Sequence, residues 1–252
     1  MKKIASLMLG LMLCGCTAFA NETVVQADNN MSVAAVADNG KIAKADMPAD
    51  PTINPDNAQF WRKTIQKYRK DNNVRQILLV RYTGGCGAIA QFYEKSKHNN
   101  AWELTLEANV YVGKHGIGKT GEGDAKSPTA DIGVRRAFGI LPNPGTKLDY
   151  LNVVETTYAC DEDCQYYNQI VDTAKTGHKC TGEDMFTYTP EYNYGIESTF
   201  NNDNKYPNGS AIFIHCKGAK AFTGGCIAFD QKDMKYILKH ADKGMRIVIG
   251  EN

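Results

Sequence analysis

A mainly β fold with a few helices (α+β) is predicted by this sequence, and three observations lead there. From Val74 onward, short runs rich in β-branched and aromatic residues alternate with Gly, Asn and Pro clusters. Helical periodicity is clear at only two places, one before those runs and one near the end. An apolar fraction of 42% over 252 residues is enough to bury one substantial core and leave an extension.

The first twenty residues, "MKKIASLMLGLMLCGCTAFA", combine two lysines, a short apolar run and a small-residue end, the build of a secretory signal. The run is too short to span a bilayer. Two cuts fit: an A-x-A-like site at Ala18 and Ala20, or a lipoprotein-type cut before Cys16 in "LCGC". Residues 21–54 are Ala-, Asn- and Asp-rich without a sustained apolar period and read as a flexible linker. Over residues 55–73, Pro55 suits a first helical turn, and Phe60, Trp61, Ile65 and Tyr68 fall near one face, predicting a short helix that packs on the domain at 74–252. In that domain "RQILLVRY", "AIAQFYEK", "AWELTLEANVYVG", "LDYLNVVET" and "SAIFIHC" read as strands. "DQKDMKYILKHADKG" reads as a helix with Asp230 at its N-cap, Met234, Ile237 and Leu238 on one face and Gly244 beyond its end. "MRIVIG" closes the chain as a strand.

Charge and cysteines narrow the function classes. Loss of residues 1–20 removes Lys2 and Lys3, leaving 27 basic against 28 acidic residues, so no polyanion or nucleic-acid partner is implied. Six cysteines follow the signal region: Cys86, Cys160, Cys164, Cys180, Cys216 and Cys226. Export to an oxidising compartment would pair many of them.

One motif points elsewhere. "GKHGIGKT" from Gly113 satisfies the phosphate-loop pattern, with Gly118, Lys119 and Thr120 in place. That pattern works only if a helix starts at the Lys-Thr pair and aims its N-terminus at the phosphates. Here "GEGDAKSPTADIG" follows, and Gly121, Gly123 and Pro128 oppose a helix. No nucleotide partner is expected, and the stretch reads as a Gly-rich hairpin or substrate-facing loop.

The stronger chemical signal is "GSAIFIHCKGAKAFTGGCIAFD". Strand alternation sets Ala211, Phe213 and His215 on one side and Ile212, Ile214 and Cys216 on the other, so His215 interrupts an apolar face. Eleven residues on, Cys226 follows Gly224 and Gly225, which permit a sharp turn and close approach to a ligand. A thiol is mostly protonated at neutral pH, and a neighbouring imidazole can take its proton. Backbone N–H groups at Gly225 and Cys226 are candidates for an oxyanion hole. A structural histidine beside a cysteine-containing turn also fits these residues.

"HCKG" followed by "TGGCIAF" resembles the H-x-x-G and [ST]-x-G-C-[IV] signature of the YkuD-like L,D-transpeptidase catalytic domain. "VGKHGIGKTGEGDAKSPTADIGVRRAFGILPNPGTKLDY", "YYNQIVD" and "YNYGI" are similar to one secreted branch of that family, so the resemblance runs from about Gln76 to Gly250. It implies a β-sandwich or barrel in which Cys226 is the nucleophile, His215 the general base, and Thr223, Gly224 and Gly225 shape the nucleophile turn. It implies no cofactor and no metal, and peptidoglycan stem peptides as partners. The thiolate would attack the carbonyl of the third-position diamino acid, release terminal D-alanine and pass the thioester to an amine or to water. Gly224 stands where the commonest family form has His, and Ala228 where it has Arg. With that Arg missing, Lys217, Lys220 and Arg135 become the candidate cations for a substrate carboxylate, beside Gly218 of the H-x-x-G motif. An L,D-carboxypeptidase and a non-catalytic envelope-binding protein remain alternatives, as does membrane anchoring through a lipidated Cys16.

Other cysteines and histidines have competing readings. Cys160, Cys164, His178 and Cys180 are ligand types for zinc, but their spacing is not a strong zinc pattern and the expected compartment favours a disulfide among the cysteines. "TYACDEDCQYY" is expected to cover the site as an insertion. Cys86, in a second Gly-Gly-Cys triplet, is expected to be structural, with His98 on a solvated hairpin and His115 on a surface loop.

Overall fold

The computed structural model describes residues 57–251. The predicted signal and linker, and the start of the first helix at Pro55, lie outside the described residues. In chain order the elements are α1 (Asn57–Lys67), β1 (Gln76–Gly84), β2 (Gly87–Lys95), β3 (Trp102–Tyr111), β4 (Ala130–Ile132), β5 (Val134–Gly139), β6 (Tyr150–Asn152), β7 (Thr157–Cys160) and β8 (Gln169–Asp172). There follow α2 (Thr173–Thr176), β9 (Glu183–Asp184), β10 (Gly195–Ser198), β11 (Phe213–Cys216), β12 (Ile227–Phe229), α3 (Gln231–His240) and β13 (Arg246–Gly250).

Ten strands form one curled sheet in the order β4-β13-β1-β2-β3-β12-β11-β10-β5-β6, and β8-β7-β9 form a small second sheet. The mainly β, α+β fold predicted from the sequence is the fold observed. The large sheet is continuous but uneven: β2 and β3 pair over nearly their full lengths, whereas β12 joins β3 through the single pair Ala228–Tyr111. Leu78, Val80, Phe92 and Val110 from one side of that seam meet Ile196, Ile214, Ile227 and Phe229 from the other, with Met234, Ile237 and Leu238 of α3, in one buried core. The "ILLV" run of β1 is apolar without alternation because both of its faces are covered. Leu78 and Val80 enter the main core, while Ile77 and Leu79 meet Tyr68 and Ile65 beneath the first helix. A carboxylate fixes that packing: Asp131 of β4 accepts from Arg246 at 2.8 Å, Lys67 at 2.6 Å and Tyr68 at 2.6 Å.

The structure differs from the sequence expectation at several elements. "SAIFIHC" becomes a strand only at Phe213, because Ala211 sits at φ +50°, outside the strand region. Only Tyr150–Asn152 of "LDYLNVVET" is extended in a ladder. Strands β5 and β10 escape the sequence pattern because they carry charge, which the fold neutralises internally: buried Glu197 accepts from Arg135 at 2.8 Å and Arg136 at 2.7 Å. Asp230 stands at the N-cap of α3, but its side chain makes no capping bond and lies 3.3 Å from Lys217 instead.

Ile247, fully buried in β13 between β1 and β4, gives a direct test of the core. Ile247→Ala is expected to lower unfolding free energy by about 2–5 kcal/mol, read as a reduced urea midpoint with an unchanged m-value.

Candidate active site

β11 has a buried residue at every position, and its two faces serve different ends. Ile214 and Cys216 enter the main core, whereas Phe213 and Cys226 belong to a second cluster with Phe138, Tyr192 and Met185. β12 runs parallel to β11 with Ile214 opposite Ile227 and His215 opposite Ala228. Cys226 immediately precedes β12, so it stands beside Phe213 and on the same face as His215, two positions along the strand. The predicted pair is thereby brought to one wall of a cavity of about 420 Å³ that both side chains line.

Local constraints fix each partner. The Cys226 thiol donates to the Ala211 carbonyl at 3.1 Å, and its sulfur accepts from Phe213 N–H at 3.2 Å. Ala211 Nα–H in turn donates to Asn168 Oδ1 at 3.1 Å, which helps hold its left-handed backbone. Nδ1 of His215 lies 2.7 Å from the Cys216 carbonyl, which can only accept, so Nδ1 carries the hydrogen and the neutral ring keeps its lone pair at Nε2. Among the described residues no hydrogen bond joins Cys226 to His215: the resting thiol is turned toward Ala211. Burial lowers the His215 pKa against opposing effects of the Cys216 carbonyl and Glu191, and burial pushes the Cys226 thiol up to about 12. The resting state is therefore a neutral thiol beside a neutral imidazole rather than an ion pair.

The turn that leads into Cys226 is tied down by hydroxyls. Thr223 Oγ1 donates to the Cys226 carbonyl at 2.7 Å and accepts from Gly225 N–H at 3.1 Å. That engages one of the two N–H groups expected to face an oxyanion. Ser127 donates to the same carbonyl at 3.2 Å and accepts from Gly113 N–H at 2.9 Å. Gly225 has φ +148°, and a Cβ there would lie 2.8 Å from the Lys126 carbonyl, so a side chain is excluded twice over. Gly224 has open space around it.

The phosphate-loop string belongs to this wall. No helix starts at Lys119 and Thr120; the next α-helix after β3 is α2, at Thr173. The donors that would surround a phosphate instead surround Asp124. Its carboxylate accepts from Thr120 N–H at 2.7 Å, Gly121 N–H at 3.3 Å, Lys126 N–H at 3.0 Å and the buried Lys119 ammonium at 2.9 Å. Burial works to raise the Asp124 pKa, but the backbone and Lys119 bonds win and hold it well below the usual carboxylate range.

Of the predicted cations, Lys220 lines the cavity but Arg135 and Lys217 do not. Arg135 is bound to Glu197 and Asn202, and Lys217 donates to the Asn109 carbonyl at 2.8 Å and lies over the Tyr111 ring. Gly218 does line the cavity, where any Cβ would overlap Glu191. Sequence reasoning missed Glu122, Glu183 and Glu191 as lining residues; Lys114 and Lys119 belong to the loop read as a hairpin or substrate-facing, and Tyr192, one of the tyrosines before the strand that read as core or rim, meets His215 edge-on at 5.5 Å. Tyr192 donates a short hydrogen bond to Glu183, and burial raises the pKa of both groups. Gly195, opposite His215 on β10, leaves the space that the Phe138 ring fills beneath the site. The expected insertion supplies Asp161 to the cavity rim. Cys86 is buried with its sulfur 3.6 Å from the Lys114 carbonyl, and His98 and His115 are exposed.

The model of the YkuD L,D-transpeptidase catalytic domain matches residues 51–249. The chain belongs to this family. Among curated proteins, none matches it in sequence. Members of this family act on peptidoglycan stem peptides.

Asp124 gives a pH test of the loop. A carboxyl held below its unfolded pKa of about 3.9 stabilises the fold above that pH and loses the contribution as pH falls toward the folded value. Asp124→Asn is expected to be less stable than the parent at pH 7, with the gap closing from about pH 4 downward, measured as urea midpoints across pH.

Proposed function

We propose that this chain is a peptidoglycan L,D-transpeptidase that works by cysteine acyl transfer. The observation carrying this reading is that His215, whose Nδ1 contact with the Cys216 carbonyl leaves the lone pair on Nε2, lines the same cavity as Cys226. Rotation of Sγ away from the Ala211 carbonyl brings the thiol proton to Nε2. The thiolate then attacks the carbonyl of the third-position diamino acid of a stem tetrapeptide. Of the two oxyanion donors foreseen, the Cys226 N–H is assigned this role, since the Gly225 N–H is held by Thr223. Imidazolium, favoured by nearby Glu191, returns its proton to the departing amine of D-alanine and leaves a thioester. An incoming amine loses its proton to Nε2, displaces sulfur and forms the new amide.

The cavity's mixed charge supports a substrate bearing both signs. Lys114 and Lys220 suit the terminal carboxylate of the donor, replacing the Arg absent at Ala228. Glu122, Asp161 and Glu191 suit the ammonium of an acceptor before it is deprotonated. In this reading the leader exports the chain to the periplasm or cell envelope, with Cys16 as its lipid anchor if the lipoprotein cut is used.

Incubation with purified disaccharide-tetrapeptides, followed by mass analysis, is expected to give cross-linked dimers. Tripeptides alone would make the chain a carboxypeptidase, and unchanged masses a binding protein. Cys226→Ser is expected to lower turnover by about 10³-fold or more; undiminished turnover removes Cys226 from the mechanism.

The pH profile tests the base. Only neutral His215 accepts a proton, and burial lowers its pKa below 6.5. Thus kcat/KM is expected to rise with pH through a midpoint below that value and then level off. A profile without a titration in that range excludes His215 as the base of the free enzyme.

A further inference from the structure

The small sheet gathers side chains that the proposed acyl transfer does not use. Cys160 ends β7, Cys164 follows in the "CDEDC" loop, and His178 and Cys180 lie on the segment between α2 and β9. Sγ of Cys160 lies 3.5 Å from Sγ of Cys164 and 3.9 Å from Nε2 of His178. Sγ of Cys164 lies 3.7 Å from the same nitrogen. Ligand atoms of Cys160, Glu162, His178 and Cys180 all fall within 4.8 Å of one another. A tetrahedron built on Zn–S bonds of about 2.3 Å and Zn–N bonds of about 2.0 Å has edges of about 3.5–3.8 Å. The separations among Cys160, Cys164 and His178 lie within a few tenths of an ångström of those edges, and Cys180 falls within 4.8 Å of Cys160 and His178, while a disulfide brings two sulfurs to about 2.05 Å.

Backbone donors meet two of these sulfurs. Tyr166 N–H donates to Cys164 Sγ at 3.4 Å, and Gly182 N–H to Cys180 Sγ at 3.4 Å, each from two residues after its cysteine. Such donors complement the charge on a metal-bound sulfur and fix the ligand's direction. Gly182 is needed for the second turn, because a Cβ there would lie 2.3 Å from the Ala159 carbonyl of β7. Glu162 is occupied: its carboxylate accepts from both the N–H and the hydroxyl of Thr181, the latter at 2.8 Å, which laces the two ligand loops together.

We propose that Cys160, Cys164, His178 and Cys180 form a closed, structural Zn²⁺ site, independent of the acyl-transfer reading. Binding sends the three thiol protons to solvent and leaves no ligand position open for catalysis. Its effect is mechanical: it pins β7 to the segment that presents Glu183, the acceptor for Tyr192 in the cavity wall.

The full chain, isolated from its native compartment without chelator, is expected to hold one zinc per chain by elemental mass spectrometry. After metal removal under reducing conditions, added Co²⁺ is expected to give intense tetrahedral d–d bands and a thiolate charge-transfer band, and Zn²⁺ to restore the lost thermal stability. Cys164→Ser and His178→Ala are each expected to weaken metal binding at least about tenfold, whereas Glu162→Gln retains the thiolate spectrum. A Cys160–Cys164 disulfide in the isolated chain overturns the proposal. So does a reduced chain that takes up no metal, or a cobalt spectrum without the thiolate band. The wild-type cobalt spectrum decides the matter even if a variant fails to fold, and it is read without any peptidoglycan substrate.

Discussion

The parallel pairing of β11 with β12 is the constraint on which the rest depends. Parallel neighbours cannot be joined by a tight hairpin, so the chain leaves β11 after Cys216, makes an excursion past Thr223 and re-enters beside its own start at Cys226. Burial on both faces removes any freedom of register. A slip of one residue would turn Ile214 and Cys216 out of the core and carry His215 into it. The hydrophobic packing of one face thus sets the alignment of a histidine and a cysteine on the other.

Around that pair, backbone carbonyls and hydroxyls do the positioning. The Cys216 carbonyl selects the histidine tautomer, and the Ala211 carbonyl accepts the thiol hydrogen of Cys226. Thr223 and Ser127 converge on the Cys226 carbonyl, and through Gly113 they tie the nucleophile turn to the loop that folds around Asp124. That loop uses the donors of an anion-binding turn, but the anion is one of its own side chains. A motif's donors describe what a loop can hold, and the neighbouring residues decide what it does hold.

Much of this was legible in the sequence for physical reasons. The run in β1, the face of α3 and the alternation around His215 follow from burial patterns that repeat along the chain. The Gly-Gly pair before Cys226 announced a turn that a side chain would break, and Gly225 meets that description. What stayed hidden depends on partners distant in sequence. Glu197 looks like a loop residue until Arg135 and Arg136 are beside it, and Glu183 reads as an ordinary polar residue until it accepts from Tyr192, whose ring stands against His215. The spacing of Cys160, Cys164, His178 and Cys180 matched no familiar pattern because the small sheet, not a local turn, carries His178 and Cys180 to Cys160.

The thin seam between β3 and β12 gives Lys217 a meaning unlike the one its motif invited. Leaving the end of β11, its ammonium reaches past β12 to the Asn109 carbonyl and the Tyr111 ring on β3, and touches Asp230 on the way. It is a rivet across the narrowest joint of the sheet, beside the strand that carries His215. Truncating it would slacken the frame that aligns His215 and Cys226, and an activity lost in that way would imitate lost substrate affinity while reporting on architecture.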